Sequence, residues 1–196
     1  MKIGISLEVT KQLRNTWHSA INHEWYEFLK GHTIYPLVCY GSYDVREYDL
    51  IILCGGNDMA GMPTWRDNNS PDRDSFEQLL LSDAIENKVP VVGICRGFHF
   101  MNKTLGGTLR YLDEPYDNVP VILGELTVQC HHTIAVDKLA PGFESLLQDC
   151  RNVIELASDT SRKLLGVGWH PERMINFHTR DIVLSIIEKM YVNNRT

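Results

Sequence analysis

One cysteine in this chain has neighbours that suit a catalytic nucleophile. Cys95 lies in the segment Gly93-Ile-Cys-Arg-Gly97, which follows a short run of β-branched apolar residues and precedes residues that can continue as a helix. A strand that turns sharply into a helix presents a nucleophile at a strained turn, where a side chain at either flanking position would crowd the backbone. The helix N-terminus also favours the thiolate, the reactive form of cysteine. These residues alone leave a buried structural cysteine at a tight turn as the alternative.

A histidine and a glutamate near the end of the chain supply the other groups that a thiol nucleophile needs. Such a nucleophile requires a base that takes and returns protons, and the base requires a third group that orients it. His170 follows a predicted buried strand, and Glu172 stands two residues further on, after Pro171. Because alternate residues of an extended chain point the same way, Glu172 can accept a proton-bearing nitrogen of His170 and fix its tautomer.

The elements that must position these residues alternate between strands and helices up to Gly107. Apolar runs predict strands at residues 2–7, 34–40, 49–53 and 89–94, while helical periodicity and caps predict helices at 15–30 from an Asn15 cap, at 70–88 from a Ser70 cap and at 98–105. Met59 to Asn69 has no periodicity and is expected to be a loop. Crossover helices between apolar strands indicate a mostly parallel sheet that is covered on both faces.

The pattern changes after Gly107. Apolar and polar residues nearly alternate in the predicted strands at 108–112, 126–136 and 153–157, as in half-exposed antiparallel pairs. A buried strand at 164–169 then leads into His170, and a last helix is predicted from a Thr179 cap to about Val192. The sequence therefore predicts an α/β fold with a central, mostly parallel sheet, a nucleophile elbow and a small antiparallel extension.

Length, charge and cysteine content narrow the class of protein. A chain of 196 residues can form one good core, so we expect a single domain over 1–196. The net charge of -6 argues against nucleic acid or an anionic membrane as the main partner, and no apolar run approaches the length of a membrane span. The N-terminus is charged too soon for a signal peptide. Five scattered cysteines without a Cys-x-x-Cys pair indicate neither a disulfide framework nor a zinc site, so we expect a reducing, cytoplasmic compartment.

Several motifs occur together in a fixed order. They are Gly55-Gly56 after a strand, Arg73-Asp-x-x-Glu77, Gly93-Ile-Cys95-Arg-Gly97, Asn102-x-x-Leu-Gly-Gly-Thr108 and Gly166-Val-Gly-Trp-His170-Pro-Glu172. In this combination the chain resembles the class I glutamine amidotransferase-like family, and within it the free-standing γ-glutamyl hydrolase branch. Several ordered motifs are far more specific than any one of them, so the resemblance outweighs the structural alternative for Cys95.

The resemblance implies a flavodoxin-like three-layer fold and a thioester mechanism. Cys95 would attack the δ-carbonyl carbon of a γ-glutamyl substrate, His170 would act as general base and acid, and Glu172 would orient His170. The backbone N–H groups of Gly56 (or Gly55) and of Arg96 would form the oxyanion hole.

The chain departs from the family pattern at two positions that bear on substrate binding. The family commonly has Gln where this chain has His99 and Gly168. His99 either donates a hydrogen bond to the glutamyl group or faces the neighbours of its helix. His131 and His132 fall where relatives place a loop that contacts the glutamyl group, and exposed strand-end histidines are the alternative. A metal site shared by these two is not expected, because adjacent residues on a strand point to opposite faces.

The expected activity is hydrolysis of a γ-glutamyl amide bond, which releases glutamate plus an amine or amidate without a metal or organic cofactor. The leaving group stays open; γ-glutamyl-CDP-amidate of capsule biosynthesis is one candidate, and Arg66, Arg73 and Arg110 could meet its phosphates. One rival function is a glutaminase subunit that feeds ammonia to a separate synthase. The others are a catalytically silent binding module and a different cysteine hydrolase on a related elbow fold. A homodimer or a synthase partner stays open, beside the small-molecule substrate.

Overall fold

The structure is a computed structural model that describes residues 1–11, 16–62, 69–173 and 177–192. The strands are β1 (Lys2–Ser6), β2 (Glu8–Lys11), β3 (Trp17–Ala20), β4 (Thr33–Leu37), β5 (Leu50–Leu53), β6 (Val91–Ile94), β7 (Thr108–Leu123), β8 (Leu126–Lys138), β9 (Glu144–Gln148), β10 (Ile154–Asp159) and β11 (Leu164–Val167). The α-helices are α1 (Glu24–Phe28), α2 (Pro71–Glu86), α3 (Arg96–Thr104) and α4 (Phe177–Val192). Two 3-10 turns lie at Val45–Glu47 and Pro171–Arg173.

The central sheet has seven strands in the order β4-β1-β5-β6-β11-β10-β9. The strands from β4 to β11 pair in parallel, whereas β10 pairs antiparallel with both β11 and β9. Two antiparallel pairs, β2–β3 and β7–β8, stand apart from this sheet. The predicted α/β fold, with a mostly parallel sheet and a small antiparallel extension, is therefore confirmed.

The parallel strands are buried on both faces, as their uninterrupted apolar runs predict. Every residue of β5, β6 and β11 is buried. Two apolar clusters cover the sheet; one is built around Trp25 and Trp169, the other around Phe76 and Phe98. Parallel β5, β6 and β11 bring their carboxyl ends to one edge of the sheet, where open α/β folds bind ligands.

The predicted helix over residues 15–30 is wrong for most of its length. Residues 17–20 form strand β3, which pairs antiparallel with β2, and the helix is confined to α1. Trp17 is 53% exposed on β3, whereas Trp25 and Phe28 of α1 are buried. The apolar stripe that suggested one long helix thus joined residues of two different elements. The predicted Asn15 cap lies outside the described residues.

The other differences concern the ends of elements and one edge strand. Strand β7 is much longer than predicted and β8 ends two residues later than predicted, whereas β9 was not predicted because most of its side chains are exposed and show no apolar alternation. Helix α2 begins after the Ser70 cap as predicted, but Leu79 is 62% exposed, and Leu81 and Ala84 are buried in its place. Helix α4 begins at Phe177 rather than after Thr179. None of the described helices is both long and apolar enough to cross a membrane.

A buried carboxylate connects α2 to strand β1 and to the first residue of α3. Glu77 of α2 accepts hydrogen bonds from Ser6 Oγ at 2.6 Å and from Arg73 Nε at 2.8 Å. The same carboxylate pairs with the guanidinium of Arg96, which also pairs with Asp74. Two arginines and two carboxylates thus balance their charges in a site where Arg73 and Glu77 are completely buried.

The network also fixes the loop that follows β5. Arg73 donates from one amino group to the backbone oxygen of Cys54 at 2.7 Å and from the other to Asn57 Oδ1 at 3.0 Å. Asn57 in turn accepts from the backbone N–H of Val9 at 2.8 Å, which attaches the β2–β3 hairpin. The network therefore holds three segments at the same edge of the sheet.

We expect Glu77→Gln to destabilise the fold by about 3–5 kcal/mol, because it leaves buried arginine charge without its partner. The free energy of unfolding in urea measures this loss. Glu86→Gln is the matched control, since Glu86 is exposed at the end of the same helix, and its change should stay within about 0.5 kcal/mol. Equal stability of the two variants would contradict the role given to the network.

Candidate active site

The turn between β6 and α3 has the geometry of a nucleophile elbow. Cys95 stands between the two elements with φ +50°, a backbone conformation that non-glycine residues rarely adopt. A Cβ at Gly97 would lie 2.0 Å from the backbone oxygen of Leu53, and one at Gly93 would lie 2.6 Å from the carbonyl carbon of Gly97. Only glycine fits at these two positions, as predicted. Because neither residue has a side chain, the start of α3 can pack directly against the end of β5.

His170 and Glu172 meet Cys95 at this turn. His170 is buried after β11, and its Nδ1 lies 2.7 Å from Glu172 Oε1 in the 3-10 turn. Because a carboxylate only accepts, Nδ1 carries the proton and Nε2 is left for Cys95, whose charge and that of His170 act on each other. The structure thus brings together the three residues that the sequence singled out for chemistry.

The charges in this trio favour a thiolate beside an imidazolium. Burial raises the pKa of the Cys95 thiol, but the positive charge and hydrogen bond of His170 outweigh it, and the net shift is downward. Burial lowers the pKa of His170, but the Cys95 thiolate and the Glu172 carboxylate outweigh it and raise that pKa to about 10. A thiolate is the reactive form, so the geometry prepares Cys95 for nucleophilic attack.

The loop after β5 lies against the group formed by Cys95, His170 and Glu172. A Cβ at Gly55 would lie 2.7 Å from Cε1 of His170, so the backbone of this loop packs directly against the imidazole. Gly56 has φ +102°, and a Cβ there would lie 2.6 Å from the side chain of Glu8, a neighbour that the sequence did not suggest. Arg96 is the first residue of α3, and its N–H therefore has no acceptor inside the helix. These backbone groups flank Cys95, and the oxyanion hole assigned to them stays a prediction.

The three remaining candidate residues lie in different environments. His131 is half-exposed on β8 and pairs with Asp117 at 3.3 Å, while its backbone oxygen lies 3.8 Å from the Cys95 sulfur. His132 is buried, with Nε2 at 3.2 Å from Glu155 Oε1. His99 is buried with its ring edge-on to His132 at 5.4 Å between centroids, and burial lowers its pKa well below the usual value. His99 therefore packs against the residues that surround its helix, which is one of the two alternatives that the sequence left open for it.

Glu155 is a second buried carboxylate close to Cys95 that sequence reasoning missed. It is completely buried on β10, and one of its oxygens, Oε2, has no hydrogen-bond partner among the described residues. Together with Cys130 and His132 it forms the one group of three buried metal-ligand side chains found in the described part of the chain. The available signal was a single acidic residue inside the otherwise apolar run Ile154-Glu-Leu-Ala157.

The arginines considered as phosphate ligands are not equivalent. Arg73 is completely buried in the network around Glu77 and cannot meet a substrate, so that part of the expectation is wrong. Arg66 lies outside the described residues. Arg110 is half-buried on β7. The sequence could not separate these cases, because Arg73 carries the same charge as a surface arginine.

Comparisons with known proteins agree with this geometry. The Peptidase C26 family model matches residues 3–115 and 112–172. A Mycobacterium tuberculosis protein named as a candidate glutamine amidotransferase, Rv2859c, is 33% identical over 137 residues, which are 56% of this chain and 44% of that protein. The γ-glutamyl-CDP-amidate hydrolase of Campylobacter jejuni is 27% identical over 127 residues, 63% of this chain and 62% of that enzyme. The matched part thus spans less than two thirds of either relative.

The fold has close neighbours among solved structures. A crystal structure from Thermoplasma acidophilum, described as that of a candidate GMP synthase subunit, covers 100% of this chain and 96% of its own, with a TM-score of 0.69 and 19% identity. At that identity the likeness supports the fold, while the family model covers most of the chain by sequence. The chain belongs to the Peptidase C26 family of class I glutamine amidotransferase-like proteins.

Proposed function

We propose that the chain hydrolyses a γ-glutamyl amide bond through a thioester on Cys95. The observation that carries this proposal is the position of Cys95 at a strained turn beside a buried His170, whose Nδ1 lies 2.7 Å from Glu172 Oε1. It supplies a nucleophile, a proton carrier and an orienting carboxylate in the order that acyl transfer needs.

In the proposed first half-reaction the Cys95 thiolate attacks the δ-carbonyl carbon. The carbonyl oxygen takes up the negative charge and is stabilised by the backbone N–H groups of Gly56 (or Gly55) and Arg96, each worth about 3 kcal/mol in the transition state. The His170 imidazolium then gives its proton to the leaving nitrogen as the carbon–nitrogen bond breaks. The products of this half-reaction are the glutamyl thioester and a free amine or amidate.

In the second half-reaction His170, now neutral, removes a proton from water. The resulting hydroxide attacks the thioester carbon, and the carbon–sulfur bond breaks to release glutamate and restore the thiolate. Glu172 stabilises the imidazolium in both halves through its bond to Nδ1. The surrounding loops supply the substrate contacts, with the His131 backbone beside the sulfur and His99 and His132 behind it.

The leaving group we favour is a nucleotide amidate, as in γ-glutamyl-CDP-amidate of capsule biosynthesis. The name of the Campylobacter jejuni relative supports this choice, at 27% identity. With Arg73 buried in the network, any phosphate would need other cations, of which Arg110 is a half-buried candidate. The free thiols of all five cysteines fit our proposal of a reducing, cytoplasmic compartment.

The principal rival is a glutaminase subunit that delivers ammonia to a separate synthase. The description of the Thermoplasma acidophilum structure as a GMP synthase subunit favours it. A silent binding module on the same fold is less favoured, because such a module has no need of a strained Cys95 in contact with His170.

Cys95→Ala should abolish turnover and leave the fold intact, because alanine keeps the backbone length but has no nucleophile. Glutamate release from a γ-glutamyl anilide measures the activity, and circular dichroism measures the fold. Cys39→Ala and Cys150→Ala are the matched thiol controls and should keep most of the activity. A γ-glutamyl electrophile should label Cys95 alone, which mass spectrometry of the labelled protein would show. Turnover by the Cys95→Ala protein would contradict the thioester mechanism.

His170→Ala should lower kcat/KM by about 10²–10⁴-fold or more, because it removes the proton carrier. Glu172→Gln should lose less and should also change the pH profile. The Cys95 thiolate and, after it, the Glu172 carboxylate raise the pKa of His170 to about 10, so loss of the carboxylate makes His170 deprotonate at a lower pH. The alkaline limb of kcat/KM should therefore move to lower pH in Glu172→Gln. An unmoved limb, or an equal loss in the exposed-histidine control His23→Ala, would refute these roles.

Substrate comparison separates the proposal from its main rival. γ-Glutamyl compounds with amine, aminoacyl and nucleotide-amidate leaving groups should be hydrolysed by the purified chain alone, with the nucleotide amidate giving the highest kcat/KM. The readout is glutamate release. If free glutamine is the best substrate, and only after a synthase is added, the rival is correct and the γ-glutamyl hydrolase proposal fails.

A further inference from the structure

We propose that Cys130, His132 and Glu155 form a binding site for one divalent metal ion of the zinc class, here called the Cys130 cluster. One ligand atom from each side chain lies within 4.8 Å of the others. All three residues are buried; Cys130 and Glu155 are 0% exposed. The hydrolase reaction assigns no role to Cys130 or Glu155, whereas His132 also acts on the Cys95 thiol through its charge.

The positions of these residues in the strands explain how they converge. Cys130 and His132 are two apart on β8, so their side chains lie on the same face, whereas His131 points the other way and is half-exposed. Glu155 comes from β10, a separate stretch of the chain. A thiolate, an imidazole and a carboxylate suit Zn²⁺ or Co²⁺ better than Mg²⁺ or Ca²⁺, which prefer sets of oxygen ligands.

His132 is oriented as a metal ligand would be. Its Nδ1 lies 2.8 Å from the backbone oxygen of Ile134, which can only accept, so Nδ1 carries a proton. Metal-binding histidines almost always donate their other ring nitrogen to such a partner. Nε2 then faces Glu155 Oε1 at 3.2 Å. Two ligands each about 2.1 Å from one tetrahedral ion lie roughly 3.4 Å apart, close to this separation.

The contact between His132 Nε2 and Glu155 Oε1 needs a positive charge between the two atoms, either a proton or a metal ion. If Nε2 carries no proton, its lone pair meets the carboxylate of Glu155 without compensation. The second carboxylate oxygen, Oε2, also lacks a hydrogen-bond partner among the described residues, although it is buried. A buried unpaired carboxylate is costly unless it is charge-compensated or coordinates a metal. A bound ion would satisfy Nε2, the carboxylate and the thiol together.

Gly168 makes room for this carboxylate. A Cβ at Gly168 would lie 2.1 Å from Oε2 of Glu155, so no side chain fits there while the carboxylate keeps its place. Gly168 is the position where the family commonly has Gln. A side chain at this position would therefore displace the Glu155 carboxylate from the Cys130 cluster.

Charge balances when the ion binds. The Cys130 thiol gives its proton to solvent, and the thiolate and the Glu155 carboxylate together carry two negative charges against the two positive charges of the ion. His132 binds as the neutral imidazole through Nε2. The competing occupant is a proton on Nε2, which would make the pair a simple imidazolium–carboxylate ion pair, and the experiment must distinguish these two cases.

The test uses the Cys95→Ala protein, because Cys95 and His170 could themselves hold a divalent ion. The protein is stripped with a chelator and titrated with Co²⁺, whose thiolate complexes give a near-ultraviolet charge-transfer band. We expect the band to saturate at one Co²⁺ per chain and to disappear when Zn²⁺, which binds more tightly, is added. A protein that binds no Co²⁺ under these conditions contains only the proton-linked pair, and the proposal is overturned.

Variants of the ligands give different signatures. Cys130→Ser in the same background should lose the charge-transfer band and weaken binding by more than about 10-fold. Glu155→Gln should weaken binding to a similar extent but keep the band, because the thiolate remains. Cys150→Ser, which removes an exposed thiol, should change neither. A band that survives Cys130→Ser would show that another thiol binds the ion and would overturn the assignment. Circular dichroism of each variant confirms that it is folded.

Discussion

The buried charge network around Glu77 is the constraint on which the rest of the site depends. One carboxylate accepts from Ser6, Arg73 and Arg96, and it thereby connects β1, α2 and the first residue of α3. Such a network adds little to the free energy of unfolding when it is compared with a well-packed apolar core. Removing one of its members, however, leaves an unpaired buried charge, which is strongly destabilising. Arg96 is next to Cys95, so the same charges that hold α2 also fix the backbone of the nucleophile.

Two histidine–carboxylate pairs act on the Cys95 thiol, and they differ in the residues that hold them. His170 is held by Glu172 at 2.7 Å, and His132 is 3.2 Å from Glu155. Both imidazoles lower the pKa of the thiol after burial has raised it, with His170 the stronger influence. The first pair belongs to a motif that the chain shares with its family. The second pair depends on Gly168, because a side chain there would clash with the Glu155 carboxylate.

The chemistry of the site was more predictable from sequence than the packing around it. Cys95, His170 and Glu172 stand in short motifs whose geometry follows from a strand, a turn and one or two glycines, and the parallel strands carry apolar runs that only a covered sheet explains. Strand β3 was mistaken for the first part of a helix because Trp17 is apolar yet exposed. Glu155 and the burial of Arg73 could not be foreseen, since both depend on contacts between residues far apart in the chain.

The backbone at Cys95 bears on how this protein can evolve. A non-glycine residue at φ +50° costs on the order of 1–3 kcal/mol, and the surrounding elements must supply that energy. Selection for stability alone would favour replacing Cys95 by glycine, which tolerates this backbone conformation. Selection for a reactive thiol keeps Cys95. Relatives that have lost the need for a nucleophile are therefore free to become more stable at this position. The strained turn at Cys95 therefore lowers the stability of the folded protein for as long as the reactive thiol is retained.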